Sequence, residues 1–243
     1  VLVDVKTGVE ESIRVPNSGE YVTFLHVSPD DSQFMFVEEG NGRPDDRHVG
    51  LSIMNVDGTG YRRIYTLDHK SAFYMDRPIW IDNNRIIFLI RGQTPDGDRD
   101  FDGDFNKPFI YDIRDPLPQS FEEWLEYRLK MQCSHVAVSP NGETIGCGSE
   151  GYLLDSGTKE MIADQDYSSQ LGSHAAFTDD ARISFTQQHT RPEGSPYLGK
   201  VVIVDWVRRA ITSLVSHENR YEKYHIQPNF HTSHDGKLGV YVT

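Results

Sequence analysis

The chain is poor in cysteine, in cationic charge and in long apolar runs. Its 243 residues carry 24 Lys and Arg against 37 Asp and Glu, a formal net charge of −13. Nucleic acids and anionic membranes both require a cationic face, so we expect neither as a partner. No stretch reaches the roughly 18–20 consecutive apolar residues of a membrane helix, and the mean hydropathy is −0.54.

Only two cysteines are present, Cys133 and Cys147. One bridge would not be a disulfide framework, and reduced thiols fit equally well, so whether the two pair stays open. Residues 1–15 contain acids and no long apolar run, which is not the pattern of a secretion signal, although a processed signal would leave no trace. Between the cytoplasm and the periplasm, we expect the cytoplasm.

Two sequence markers recur at matched intervals. The first is a strand-like segment that leads into a turn rich in Pro, Asn, Asp or Gly and then into a second apolar run. Its turns are anchored at intervals of 39 to 58 residues, at Ser28, Ile81, Ser139, Thr178 and Ser233. The second marker is an apolar strand that ends in a polar residue and a turn. It recurs at intervals of 43 to 57 residues, at Asp4, Asn55, Asp112, Asp155 and Asp205.

Two hairpins per period of this length form the four-stranded blade of a β-propeller. We therefore predict an all-β fold, a β-propeller of four-stranded antiparallel blades, as a single domain over residues 1–243. A β-sandwich is the alternative, but two markers that recur at matched intervals favour the propeller. Five blades are visible, and the chain begins with the last two strands of a blade and ends with the first two. Both termini could thus close one blade, and a piece of a larger propeller would show the same ends.

One insertion in the repeat predicts a helix. Residues 120–131 have apolar positions at helical spacing, Ser120 as N-cap and acids in the first turn. This pattern is typical of a short amphipathic helix, which we expect to pack on the propeller.

A second insertion, residues 94–107, is acidic. Carboxylates alternate up to Gly103 and continue after it, at Asp98, Asp100, Asp102 and Asp104. Alternating carboxylates before a glycine are typical of calcium loops, and Asp96 and Asn106 could add oxygens. The loop 96–106 is therefore a candidate calcium site, with a solvated acidic loop as the alternative.

Polar residues recur at the start of the first strand of successive blades. Four positions before the turn anchors stand Phe24, Arg77, His135, His174 and Asn229. Period-2 alternation places this position and the one two residues before the anchor on the same face. First strands line the channel of a propeller, so we expect Arg77, His135, His174 and Asn229 to approach one another at one mouth.

The segment 222–231 enters the last blade at the same mouth. With His174, its side chains Glu222, His225 and Gln227 offer two imidazoles, a carboxylate and an amide oxygen. Such a set suits a divalent metal such as manganese. For each histidine alone, a core or surface position is the alternative.

These residues resemble a known family. The turns Ser28-Pro29-Asp30-Asp31 and Ser139-Pro140-Asn141-Gly142 resemble TolB-type propeller repeats. The segment His225-Ile226-Gln227-Pro228-Asn229-Phe230 resembles the His-Pro-His-Pro-Ser-Phe segment of oligogalacturonate lyases. The family has seven blades, whereas this chain shows five.

The resemblance implies a channel manganese bound by His174, Glu222, His225 and Gln227. Glu222 and Gln227 stand where the family has Gln and His. It also implies catalytic roles for Arg77 and His135. The family uses the arginine as the base, and His135 could act as base or acid.

The function that the resemblance implies is a metal-dependent lyase. It would act by β-elimination on uronic-acid-containing, oligogalacturonate-like substrates in the propeller channel, with an acidic oligosaccharide as its partner. The reaction removes a proton next to a carboxylate, so a metal or a cation must stabilise the developing enolate. The alternative is a non-catalytic propeller, like TolB or WD-repeat proteins, that binds a protein or ligand.

Overall fold

Antiparallel strands make up most of the structure, a computed structural model. It describes residues 2–3, 7–12, 21–39, 49–67, 74–92, 105–129, 136–147, 150–161, 174–180, 182–186, 200–205, 207–216, 230–232 and 239–241. The chain divides into two compact units, Val1–Gln132 and Cys133–Thr243, here called unit 1 and unit 2. The single domain expected over residues 1–243 stays a prediction.

Unit 1 contains sheets of two, four and three strands. The strands are β1 Leu2–Val3, β2 Glu10–Glu11, β3 Tyr21–Val27, β4 Gln33–Glu39, β5 Val49–Asn55, β6 Arg62–Leu67, β7 Tyr74–Trp80, β8 Arg85–Gly92 and β9 Phe105–Asp112. Their orders are β1-β2, β3-β4-β5-β6 and β7-β8-β9.

Unit 2 contains two sheets of four strands and one of two. The strands are β10 Val136–Val138, β11 Thr144–Cys147, β12 Glu150–Leu153, β13 Thr158–Met161, β14 His174–Asp179, β15 Arg182–Thr186, β16 Lys200–Asp205, β17 Ala210–Ser216, β18 Phe230–Thr232 and β19 Gly239–Tyr241. Their orders are β10-β11-β12-β13, β14-β15-β16-β17 and β18-β19.

Every sheet follows chain order, which is the arrangement of propeller blades. Within unit 1, the first strand β3 contacts the first strand β7, and within unit 2, β14 contacts both β10 and β18. The predicted all-β fold with four-stranded antiparallel blades is confirmed. In the described part of the chain, β1-β2 and β18-β19 are separate two-stranded sheets, so the blade closed by both termini stays a prediction.

In each Ser-Pro turn, the serine hydroxyl holds the backbone conformation by hydrogen bonds. Ser28 Oγ accepts the backbone N–H of Gln33 at 2.9 Å and donates to Asp30 Oδ1 at 2.7 Å. Asp31 then adopts a φ of 59°. The turn at Ser139 repeats the bonds from Thr144 N–H at 2.9 Å and to Asn141 Oδ1 at 2.7 Å, with Gly142 at a φ of 70°. The recurring serine therefore encodes one turn conformation in both units.

The core of unit 1 lies between its four-stranded and three-stranded sheets. Met35, Val37 and Leu51 of the first sheet and Phe88 and Phe109 of the second are fully buried in it. Trp124 closes this cluster, with ring centroids 4.9 Å from Tyr65 and 5.6 Å from Phe88. Burying such aromatic rings supplies much of the stabilisation of a β-sheet pair.

The predicted helix at 120–131 is shorter than expected. It consists of α1, Phe121–Trp124, followed by a single 3-10 turn, Leu125–Tyr127. The N-cap is confirmed, because Glu123 N–H donates to Ser120 Oγ at 3.2 Å. Arg128 is extended and bridges to Phe109 of β9. The last residues of the predicted helix therefore begin to cover the open edge of β9 instead. No helix in the described ranges is long and apolar enough to cross a bilayer.

Candidate functional site

Arg77 and His174 both lie in first strands, as the repeat predicts. Arg77 is in β7 of unit 1, and His174 is the first residue of β14 in unit 2, opposite Thr186 of β15. Because they belong to different units, each is placed only within its own sheet. Their predicted convergence at a channel mouth stays a prediction.

The other predicted site residues fall outside the described residues. They are the catalytic candidate His135, the metal-ligand candidates Glu222, His225 and Gln227, and the calcium-loop candidates Asp98, Asp100, Asp102 and Asp104. Asn106, expected to add an oxygen to that loop, lies in β9 opposite Arg91, and its role as a ligand stays a prediction. Among the residues that the structure describes, no group of three or more His, Cys, Asp or Glu could hold a metal ion.

A β-bulge interrupts the first strand of both larger sheets of unit 1. The register shifts between Thr23 and His26 in β3, and between Asp76 and Ile79 in β7. Arg77 lies in the second bulge next to Pro78, which has no N–H to donate to the sheet. The regular alternation expected from the sequence therefore fails at Arg77, whereas β14 keeps it from His174 to Phe177.

A repeated ion-pair arrangement lies at the turn end of two sheets. In unit 1, Arg85 Nε donates to Asp82 Oδ2 at 2.6 Å, and Arg85 is the register partner of Asp112. Asp112 in turn accepts a bond from Arg114 Nη2 at 2.5 Å. The Arg114 guanidinium is the main reason that the pKa of Asp112 lies below its usual value. Unit 2 repeats the arrangement with Asp179, Arg182, Asp205 and Arg208.

The arrangement in unit 2 borders an open cavity. Its volume is about 440 Å³, and its lining residues are Asp179, Asp180, Arg182, Asp205, Val207 and Arg208. Asp180 also accepts the backbone N–H of Asn141 at 2.9 Å, which ties two neighbouring turns together. None of these residues is among the site residues predicted from the sequence. The signal that could have found them is an Asp followed by an Arg three residues later, in the turns after Ile81 and Thr178.

A buried carboxylate lies in the four-stranded sheet of unit 1. Glu38 is 1% exposed and accepts hydrogen bonds from the hydroxyls of Ser52 and Tyr61. Arg63 Nη2 approaches its Oε2 at 2.6 Å, and the Arg63 side chain lies across Gly50, where a Cβ would come within 2.9 Å of Nε. Burial raises the pKa of the Tyr61 hydroxyl. Ser52, Tyr61 and Arg63 each donate to the same carboxylate, so this cluster serves to satisfy a buried charge.

The geometry defines an all-β, propeller-type protein. No family model and no curated protein matches the sequence. An oligogalacturonate lyase from Vibrio parahaemolyticus has a similar structure, with a TM-score of 0.61 and 11% identity over 98% of this chain and 70% of that one. A TolB-like protein from Agrobacterium tumefaciens gives a TM-score of 0.52 and 13% identity over 91% of this chain and 69% of that one.

A peptidase is also similar. The puromycin-hydrolyzing peptidase of Mycobacterium tuberculosis gives a TM-score of 0.56 and 14% identity over 88% of this chain. This chain spans 32% of the length of that peptidase. At these identities the likeness concerns the fold alone.

Proposed function

We propose that the protein is a metal-dependent lyase that cleaves uronic-acid-containing oligosaccharides, such as oligogalacturonate, by β-elimination. The observation that carries the proposal is the position of His174 at the start of first strand β14, which neighbours the first strands β10 and β18. His135 directly precedes β10 in the sequence, and the segment 222–229 directly precedes β18. An oligogalacturonate lyase shares this fold over 98% of the chain, so the fold can accommodate such a function.

The proposed chemistry needs a base, an acid and a cation. The base takes the proton from the carbon that bears the carboxylate, the electron pair forms a carbon–carbon double bond, and the glycosidic oxygen leaves from the next carbon with a proton from the acid. Arg77 and His135 are the candidates for base and acid. Positive charge at the carboxylate lowers the barrier because it stabilises the enolate that develops there.

The donor set fits a divalent metal by its chemistry. His174, Glu222, His225 and Gln227 would supply two imidazole nitrogens, a carboxylate and an amide oxygen, which suit manganese better than a soft metal. A metal bound there would neutralise the substrate carboxylate. The other proposed metal, calcium in loop 96–106, would bind oxygen ligands only and would be structural.

The test combines metal analysis with detection of product. Purified protein is expected to contain a divalent metal and to release unsaturated products that absorb in the ultraviolet from oligogalacturonate. His174→Ala should remove the metal and the activity, and Arg77→Ala should remove activity while the metal stays. Arg114→Ala, an exposed arginine elsewhere in unit 1, is the matched control. Metal-loaded protein that forms no product from any uronate oligosaccharide would contradict the proposal.

A non-catalytic binding scaffold is the second candidate. The observation that favours it is the exposure of Val22, Leu25 and Val27, all on first strand β3, at 39%, 52% and 46%. A scaffold could also use an exposed aromatic patch, but none of the aromatic side chains whose burial the structure describes is exposed. A scaffold would release no unsaturated product from uronate oligosaccharides, and it would still bind its partner after a chelator has removed the metal.

A further inference from the structure

The last strand of one sheet in unit 2 has an uncharged, exposed edge. β17 forms one side of the sheet β14-β15-β16-β17 and, among the described strands, pairs with β16 alone. It contains no charged residue and no proline. Five of its seven residues are exposed, and Leu214 is exposed at 50%. An outer strand of this kind can add a further strand through its outward N–H and C=O groups.

The described outer strands of the other large sheets are protected against such an addition. Each carries charged residues or a proline, namely Arg62 and Arg63 in β6, Lys107 and Pro108 in β9, and Lys159 and Glu160 in β13. β6 and β17 share a bulge of one residue, at Ile64 and Leu214. Because both strands are bulged, the absence of charge is what distinguishes β17 from β6.

β17 is complementary to a second copy of itself. In an antiparallel pair about a two-fold axis at Ser213, Ile211 of each copy lies opposite Val215 of the other. Thr212 in the same way lies opposite Leu214, which covers the exposed leucine. Pairs of β-branched side chains stabilise a sheet, and like charges opposite each other destabilise it. The strand brings the first and avoids the second.

The charges at the two ends of β17 favour the same arrangement. Arg208 and Arg209 directly precede the strand, and the Arg208 side chain is 81% exposed. Glu218, outside the described residues, follows the strand in the sequence. Antiparallel pairing places the beginning of one strand beside the end of the other, so arginines of each copy would meet an acid of its partner. In a chain with a net charge of −13, such a contact avoids the repulsion between acidic surfaces.

We propose that the protein forms a two-fold symmetric dimer in which the β17 strands of two copies pair antiparallel about Ser213. The pairing joins the two four-stranded sheets into one continuous sheet. The occupant of the edge is a second copy because the strand matches itself in apolar pairs and the charges at its two ends are opposite in sign. The proposal rests on β17 and these flanking charges, and not on the proposed lyase activity.

The first test is cross-linking at the two-fold axis. Residues directly opposite each other in an antiparallel pair have Cα atoms about 4.5–5.5 Å apart, which a disulfide can span. Under mild oxidation, Ser213→Cys in the full-length protein should therefore give a covalent dimer on non-reducing electrophoresis. Thr66→Cys, at an exposed position of the charged outer strand β6, is the matched control and should stay monomeric on the gel.

The second test is sedimentation equilibrium of the full-length protein, which should show a reversible monomer–dimer equilibrium. Ser213→Lys should raise the dissociation constant about fivefold, because two lysines then face each other across the axis. Ser213 is exposed, so the variant should keep the Tm of the wild type. Thr66→Lys adds the same charge to β6 and should leave the dissociation constant unchanged.

A protein that stays monomeric at every concentration would overturn the proposal. So would a dimer that Ser213→Cys does not cross-link, since its copies would meet at another surface. A Ser213→Lys variant that dimerises as tightly as the wild type would have the same meaning.

Discussion

At the scale of single residues, Glu38 carries a buried charge in the four-stranded sheet of unit 1. Glu38 is almost completely buried, with 1% of its surface exposed to water. The hydroxyls of Ser52 and Tyr61 and the guanidinium of Arg63 replace that water. A buried ion pair contributes little net stability over an apolar pair, but removing one partner leaves the other uncompensated.

Replacing Glu38 with Ala is therefore expected to lower the free energy of unfolding by about 3 kcal/mol. Replacing both Glu38 and Arg63 with Met should cost less than Glu38→Ala alone, because no lone charge remains. Urea denaturation followed by tryptophan fluorescence measures both values, since Trp80 and Trp124 are buried in the same unit. A double variant that is less stable than Glu38→Ala would contradict this account.

Among structural elements, the sheets of unit 2 approach each other closely at one glycine. Gly146 is in β11, and a Cβ there would lie 2.6 Å from Ile183 Cδ1 and 3.1 Å from Phe177 Cε2. Ile183 is completely buried in β15. The absent side chain of Gly146 is thus what lets the sheet β10-β13 pack on the sheet β14-β17.

Gly146→Ala is expected to destabilise the protein by about 1–3 kcal/mol, because the added methyl overfills a packed core. Shortening the facing side chain in Gly146→Ala/Ile183→Val should recover part of the loss. The measurement is thermal or urea unfolding of the two single variants and the double variant. Strictly additive costs would mean that residues 146 and 183 do not share the contact that the structure shows.

The turns were easier to predict from the sequence than the bulge in β7 or the early end of the helix. The turn anchors Ser28 and Ser139 could be recognised because one hydroxyl satisfies the turn backbone in each copy. The bulge at Arg77 could not be found by period-2 alternation, which assumes one residue opposite each partner. The early end of the helix at Tyr127 depends on pairing of Arg128 with β9, a contact remote in sequence.

At the scale of the whole molecule, each unit has a hydrophobic core of its own. The main cluster of unit 1 brings together the sheets from β3 to β9, and unit 2 buries Val136, Ile145, Ile183 and Val201. The repeat could predict these cores, since apolar runs recur with the blades. A site shared between blades is harder to predict, because it depends on how sheets are placed around an axis and not on any local pattern. Of the candidate site, the structure thus places Arg77 and His174 in their strands.

The redox state of the two cysteines is a property of the whole molecule that can be tested. Cys147, 8% exposed in β11, is disulfide-bonded. Cys133, the one other cysteine in the sequence, lies outside the described residues.

We therefore predict that no thiol reacts with a thiol reagent in unreduced, denatured protein, and that two react after reduction. Reduction should also lower the stability of the protein by about 2–4 kcal/mol, because a cross-link restricts the unfolded chain. Cys147→Ser serves as the matched variant, and its stability should not change on reduction. Two reactive thiols in protein purified without reductant would contradict the disulfide.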